Sequence, residues 1–227
     1  MESKQRRVKR VSETAQQLMT DVWGEETWAE FVDGIQAIYE HHTDHVDDRQ
    51  AALARLIDEM YPVLLTDPAL QQAIARCPQS CDPTRPGWWS TLHESAMSHI
   101  ALVAVYQGQA MPLHDHPGSH GLSVVLTGRA QVRQASIAEL NPANGVAKIK
   151  LDSIEEMAQQ QFSWFDESHS NLHSIEAMTP IAHILAVHLP PIRRQEQAYY
   201  FPLETKQWLP GQSLSTKRVK IRNNFGH

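Results

Sequence analysis

The sequence predicts a mainly β protein, a small antiparallel barrel or sandwich with a helical layer before it. From His99 onward, short β-rich runs alternate with turn signals at close spacing, which is typical of barrels and sandwiches. In the residues before position 80, apolar side chains instead recur at helical spacing. These helices are too few to bury their own apolar faces, so we expect them to pack on the barrel. We therefore predict one composite domain, with residues 1–90 as the helical segment and residues 91–227 as the barrel.

Three helices are predicted before the β-rich part. The first has one apolar face, formed by Trp28, Phe31, Val32, Ile35, Ile38 and Tyr39. The second repeats the pattern with Leu53, Leu56, Ile57 and Met60, and Pro62 is expected to end it. Asp67 and Pro68 form a cap and first-turn pair for the third helix, which should run to Ala75. Two prolines and a glycine predict a loop over residues 81–89.

Seven strands are predicted from short apolar runs. They cover residues 100–106, 122–126, 130–137, 146–151, 162–165, 172–177 and 181–189. Turn signals separate the runs at Gly108, Pro117-Gly118, Thr127-Gly128 and residues 141–145.

The composition is that of a soluble globular protein and argues against several kinds of partner. The net charge of -6 argues against nucleic-acid binding, and no apolar run is long enough to predict a membrane span. The basic N-terminus, residues 1–13, lacks an apolar signal core, and we interpret it and the basic tail 217–222 as solvated ends. Cys77 and Cys81 form no disulfide framework, so we expect a cytoplasmic protein. The oligomeric state stays open.

The most informative stretch of the chain contains His114 and His116. Because the two histidines lie two residues apart, on a strand their side chains would point to the same side of the sheet. Two imidazoles on one face, aimed into a barrel, form most of a metal site. Taken alone, the pair is also compatible with two surface histidines.

Glycines at fixed distances surround these histidines. Gly108 is followed after five residues by His114, after one by His116, after four by Gly121 and after six by Gly128. This spacing resembles the first motif of the cupin superfamily, and the resemblance implies a jelly-roll barrel with a metal ion in its mouth. Common cupins have a glutamate ligand at the position of Gly121, so a carboxylate ligand is missing here.

The same resemblance implies that a later strand supplies a third histidine ligand. His173 is the candidate, and His120 and His169 remain alternatives. Three neutral imidazoles would leave a ferrous ion its full charge, with positions for a thiolate and dioxygen. His183 and His188 lie on opposite faces of the last predicted strand, so at most one of them can point inward.

Four short motifs resemble those of the thiol dioxygenases, in particular the branch of 2-aminoethanethiol dioxygenase and plant cysteine oxidase. They are Pro-Leu-His-Asp-His-Pro-Gly at 112–118, Asn-Leu-His at 171–173, Leu-Pro-Pro at 189–191 and Tyr-Tyr at 199–200. The resemblance implies a non-haem Fe(2+) enzyme that adds both atoms of dioxygen to a small-molecule thiol and forms a sulfinic acid. It carries His114, His116 and His173 over as iron ligands.

The sequence departs from these families at three places. Cysteine dioxygenases of the mammalian type have a cysteine at the position of Gly121 that crosslinks to a tyrosine, and glycine excludes this crosslink. The aminothiol branch has a cysteine shortly before its paired tyrosines, where this chain has Gln197 and Ala198. There is no arginine between Trp88 and His114 to hold the carboxylate of free cysteine. We therefore expect no thioether cofactor and a substrate other than free cysteine: an aminothiol, a mercapto-acid or a larger thiol.

Three further side chains are candidates for catalysis. Tyr199 and Tyr200 could place a phenol near the iron, and His188 could donate a proton; for each, packing on the barrel is the alternative. Two other functions stay open. The chain could be a cupin oxygenase that cleaves carbon–carbon bonds, or a sensory cupin that binds metal without turnover.

Overall fold

A computed structural model describes residues 25–41, 46–80, 82, 87–95, 98–166, 171–189, 197–203 and 208–220. The chain divides after Arg76 into two compact units, one helical and one formed by β-strands. The mainly β class with helices at the N-terminal side is confirmed. The packing of the helices on the barrel as one composite domain stays a prediction. None of the described helices is long and apolar enough to span a membrane.

The helical unit contains α1 (Glu25–His41), α2 (Val46–Leu64) and α3 (Pro68–Arg76). All the apolar residues predicted for the faces of α1 and α2 are buried. Asp67 caps α3 as predicted, because its Oδ1 accepts the backbone N–H of Leu70 at 2.8 Å. The expectation that Pro62 ends α2 is wrong, because Pro62 lies inside the last turn of the helix. The helix continues to Leu64. A proline has no backbone N–H, so in the last turn it removes a single intrahelical hydrogen bond and does not stop the helix at once.

The β unit has eleven strands within the described residues. They are β1 (Trp88–Glu94), β2 (His99–Tyr106), β3 (Ala110–Asp115), β4 (His120–Thr127), β5 (Arg129–Asn141), β6 (Val146–Ala158), β7 (Phe162–Phe165), β8 (Leu172–Ala177), β9 (Ile181–Leu189), β10 (Ala198–Pro202) and β11 (Ser213–Lys220). Five of them form an antiparallel sheet in the order β1-β2-β9-β4-β7. The other six form a closed barrel in the order β10-β11-β6-β5-β8-β3, which closes where Tyr199 pairs with His114.

The two larger of the apolar clusters that the described residues of the β unit form bear on the site. The first, which we call the inter-sheet core, joins both sheets and consists of Val103, Val105, Val125, Ala130, Val132, Met157, Ile175, Ala177, Ala182, Ile184 and Ala186. The second, the barrel core, consists of Leu113, Ala135, Ala147, Ile149, Leu172, Ala198 and Tyr200. Side chains alternate along a strand, so β8 sends Ile175 and His173 towards the first cluster and Leu172 towards the second.

The seven predicted strands correspond to β2 and β4–β9, and β7, β8 and β9 have the predicted bounds. Two expectations are wrong. Trp88 and Trp89, predicted at the end of a loop, begin β1. Residues 217–220, predicted as part of a solvated end, belong to β11, because Leu214 and Thr216 are buried and the strand pairs with both β6 and β10. The predicted arm 1–13 and residues 221–222 of the tail lie outside the described residues.

Candidate metal centre

Three histidine side chains come together at one end of the inter-sheet core. His114 on β3 is the cross-strand partner of His173 on β8, and His116 follows β3 by one residue. All three side chains are buried, and their metal-binding nitrogens lie within 4.8 Å of one another. Of the histidine, cysteine and acidic side chains in the described ranges, no other joins this cluster. His120, one alternative third ligand, is therefore not part of it, and His169, the other, lies outside the described residues.

Burial keeps these imidazoles neutral. It lowers the pKa of His114, and it lowers the pKa values of His116 and His173 well below the ordinary value of 6.5. Mutual repulsion adds to this effect, since a proton on His116 would face His188, His114 and His173. Neutral imidazole is the form that offers a lone pair to a metal ion, so the cluster has the protonation that metal binding requires.

Backbone contacts hold His114, on β3, and His116, directly after β3, in place. The Nδ1 of His114 lies 2.8 Å from the carbonyl oxygen of Pro112, and a carbonyl can only accept, so Nδ1 donates and Nε2 keeps its lone pair. The backbone N–H of His116 donates to the carbonyl oxygen of Asn171 at 3.2 Å and to its Oδ1 at 3.0 Å. Asn171 thereby fixes the end of β3 against the start of β8.

The ring of His116 shows that the cluster fits a metal ion. Its Nδ1 lies 2.8 Å from the side-chain amide of Gln197, while its Nε2 is buried and has no hydrogen-bond partner in the part of the chain that the structure describes. A buried polar atom left unpaired is costly, and a metal ion shared with His114 and His173 would satisfy it. The residues present therefore fit a metal held by three imidazoles.

Among the residues that the structure describes, no carboxylate belongs to this centre. Asp115, between the two histidines, points to the barrel core, where it accepts the backbone N–H of Ala198 and the O–H of Tyr200, both at 2.6 Å. At Gly121, where other cupins have an acidic ligand, an added Cβ would collide with the carbonyl oxygen of Val187. Packing of the backbone therefore leaves no room for a glutamate or a cysteine at position 121.

An aromatic ring that the sequence analysis did not identify forms one side of the centre. Phe165 on β7 is 1% exposed and stacks on His116, with ring centroids 4.5 Å apart and an interplanar angle of 25°. It also meets His173 edge-on at 5.4 Å. Phe165 is the cross-strand partner of Gly121, and this register places it there. No local motif could have indicated the stacking contact, since Phe165 is distant in sequence from His116.

The three candidate catalytic residues lie in two different places. Tyr199 is half-buried, with its ring 6.1 Å from that of His114, and His188 lies 4.7 Å from the ring of His116. Tyr200 is buried in the barrel core instead, bonded to Asp115 and to the Nε of Arg218 at 3.0 Å. Burial raises the pKa of Tyr199 and of Tyr200, and the carboxylate of Asp115 raises that of Tyr200 further. Both phenols therefore keep their protons at neutral pH.

Other side chains that drew attention in the sequence have structural contacts. His183 lies on the opposite face of β9 from His188 and contacts the hydroxyl of Thr127 at 2.7 Å. Cys77 is buried, and its Sγ lies 3.4 Å from the hydroxyl oxygen of Tyr106, whereas Cys81 lies outside the described residues.

Comparison with known proteins identifies one family and several similar structures. Residues 63–222 match the model of the PCO_ADO family, which is the family of plant cysteine oxidases and cysteamine dioxygenases. No curated protein matches the chain. The predicted resemblance to this branch of the thiol dioxygenases is confirmed.

Solved structures similar to this chain include double-stranded β-helix proteins. One is an uncharacterized conserved protein from Klebsiella pneumoniae, with 15% identity over 49% of this chain and 79% of that chain, at a TM-score of 0.37. Another is KdgF from Halomonas sp., with 15% identity over 48% of this chain and 84% of that chain, at 0.36. A third is a cupin superfamily protein from Desulfitobacterium hafniense, with 12% identity over 48% of this chain and 81% of that chain, at 0.34.

Proposed function

Because the chain belongs to the PCO_ADO family of thiol dioxygenases, we propose that it holds ferrous iron on His114, His116 and His173 and oxidises a small thiol to its sulfinic acid. The observation that carries this proposal is the cluster of three buried, neutral imidazoles, with the Nε2 of His116 unpartnered among the described residues. Imidazole ligands suit iron as well as zinc, copper and nickel. The choice of iron therefore rests on the family.

The reaction needs no co-substrate other than dioxygen. A thiolate and dioxygen combine to give a sulfinate that contains both oxygen atoms, and sulfur supplies all the electrons that dioxygen accepts. Ferrous iron, when bound, supplies a redox-active centre that lowers the pKa of a coordinated thiol and brings dioxygen next to the sulfur. Three neutral ligands add no negative charge to that centre, which favours an anionic thiolate.

The surrounding side chains define what each face of the centre can do. The protonated phenol of Tyr199, beside His114, can donate a hydrogen bond to the substrate or to the oxygen atoms of the product. Phe165 covers His116 and excludes water from that face. His188, whose ring lies beside those of His116 and Phe165, would exchange a proton with the thiol as it binds. Tyr200 acts through Asp115 in holding β3, and not on the substrate.

An aminothiol or a larger thiol fits the site better than free cysteine. Of the arginines that the structure describes on the barrel strands, Arg218 lies against Tyr200 and Asp115, Arg133 pairs with Glu176, and Arg129 pairs with Glu156. These contacts leave none of them placed to hold a substrate carboxylate. We propose that the reaction takes place in the cytoplasm, where reducing conditions keep the substrate and the thiol of Cys77 reduced.

Oxygen uptake tests this function. The protein is loaded with Fe²⁺ under anaerobic conditions, and uptake is measured with cysteamine, cysteine, 3-mercaptopropionate and a peptide with an N-terminal cysteine. We expect uptake with cysteamine or the peptide, at a rate well above that with free cysteine. Iron binding without uptake for any thiol would contradict the proposal and would favour a sensory cupin.

A further inference from the structure

Gln197, the residue directly before β10, makes a contact that the proposed reaction does not explain. The Nε2 end of its side-chain amide lies 2.8 Å from the Nδ1 of His116. We propose that Gln197 is a positioning residue for the metal centre: its side-chain oxygen accepts the Nδ1–H of His116 and thereby directs the Nε2 lone pair of that ring to the metal. This inference rests on the proposed metal site.

The unpartnered Nε2 decides which end of the amide faces the ring. If the amide NH₂ donated to Nδ1, the proton of the neutral ring would be on Nε2. That N–H would be buried without an acceptor among the described residues, and it could not bind a metal. With the amide oxygen towards the ring, Nδ1–H is satisfied and Nε2 carries a free lone pair. The oxygen and nitrogen of an amide occupy nearly equivalent positions, so the contact is equally short in this orientation.

Stacking on Phe165 alone cannot direct the Nε2 lone pair of His116 to the metal. Phe165 lies against the face of His116 and fixes the plane of the ring. A half-turn of the ring about its Cβ–Cγ bond keeps the same plane but exchanges Nδ1 with Cδ2 and Nε2 with Cε1. Only a hydrogen bond to Nδ1 distinguishes the two orientations, and Gln197 is the group that makes it.

Two of the proposed ligands, His114 and His116, are therefore oriented by different means. His114 is fixed by a carbonyl of its own strand, at Pro112. His116 depends on a side chain from the start of β10, far away in sequence. Position 197 lies in the stretch where the aminothiol branch has a cysteine, so this chain uses the stretch for a hydrogen bond to a ligand.

Metal affinity of two variants tests the role of Gln197. Co²⁺ is titrated into the metal-free full chain in competition with a chelator, for the wild type, Gln197→Leu and Gln197→Glu. Leucine has a similar size but no acceptor, and we expect it to weaken Co²⁺ binding by about 10-fold or more. Glutamate keeps the acceptor, and we expect it to bind at least as tightly as the wild type. Gln131→Leu, the same change on β5 away from the three histidines, should leave the affinity unchanged. Wild-type affinity in Gln197→Leu, or equal loss in both Gln197 variants, would overturn the proposal.

The ring tautomer can be measured without a variant of Gln197. Nitrogen-15 NMR of the metal-free wild type, with the His116 signals assigned from their loss in His116→Gln, reports which ring nitrogen carries the proton. We expect Nδ1–H, and Nε2–H would overturn the proposal. Oxygen uptake by the iron-loaded wild type distinguishes this outcome from failure of the proposed function. Without thiol-dependent uptake the dioxygenase proposal fails, whereas the affinities and the tautomer judge Gln197 alone.

Discussion

Gly121 determines which ligands the metal centre can have. It pairs with both His188 and Phe165, and the carbonyl oxygen of Val187 occupies the space that a Cβ would need. A glutamate ligand at this position would require the backbone of β4 and β9 to separate. The packing of these strands therefore excludes a carboxylate ligand at position 121.

His173→Ala tests the third ligand. The change removes the imidazole that faces His114 across β3 and β8, so we expect Co²⁺ or Fe²⁺ binding to fall below detection in a chelator competition. His169→Ala, four residues earlier in the chain, should keep the wild-type affinity. The reverse pattern would reassign the third ligand to His169.

On the scale of the secondary-structure elements, β3 links the metal centre to the barrel core. Alternation sends His114 to one face of the strand and Asp115 to the other. Asp115 then connects three strands, because it accepts from Ala198 and Tyr200 on β10, and Arg218 on β11 lies 3.7 Å away. This buried network holds β3 and β10 together where the closed barrel has a single paired position.

Tyr200→Phe tests that network. It leaves the buried Asp115 without one of its donors, so we expect the free energy of unfolding to fall by about 1–3 kcal/mol in urea denaturation. Tyr199→Phe is the matched control on the same strand, and its effect on stability should stay below about 0.5 kcal/mol. For activity we expect the opposite order: turnover should fall more in Tyr199→Phe than in Tyr200→Phe. Equal stability of the two variants would show that Tyr200 does not hold the barrel.

The elements show how far the sequence could predict the site. The His-x-His spacing predicted one shared face for His114 and His116, because alternation along a strand is a local rule. The role of Gln197, the stacking of Phe165 and the existence of β11 could not be predicted, since each depends on register between strands distant in sequence. The basic residues of β11 also make it difficult to recognise from the sequence that Leu214 and Thr216 alternate with more exposed positions, as in a strand.

On the scale of the whole molecule, the chain consists of a helical unit and a β unit. We predicted one composite domain because three helices bury too little apolar surface alone. If so, heating the full chain in a calorimeter should give one cooperative transition whose van't Hoff and calorimetric enthalpies agree. Two separate transitions would show that α1–α3 and the β unit are independent domains.

The central claim is that this chain transfers both atoms of dioxygen to the sulfur of a thiol. The direct measurement uses the iron-loaded protein, the thiol with the fastest oxygen uptake, and dioxygen labelled with the heavy isotope of oxygen. Mass spectrometry of the product should show a sulfinate in which both oxygen atoms carry the label. A product with one labelled oxygen, or a disulfide with none, would contradict the assignment as a thiol dioxygenase.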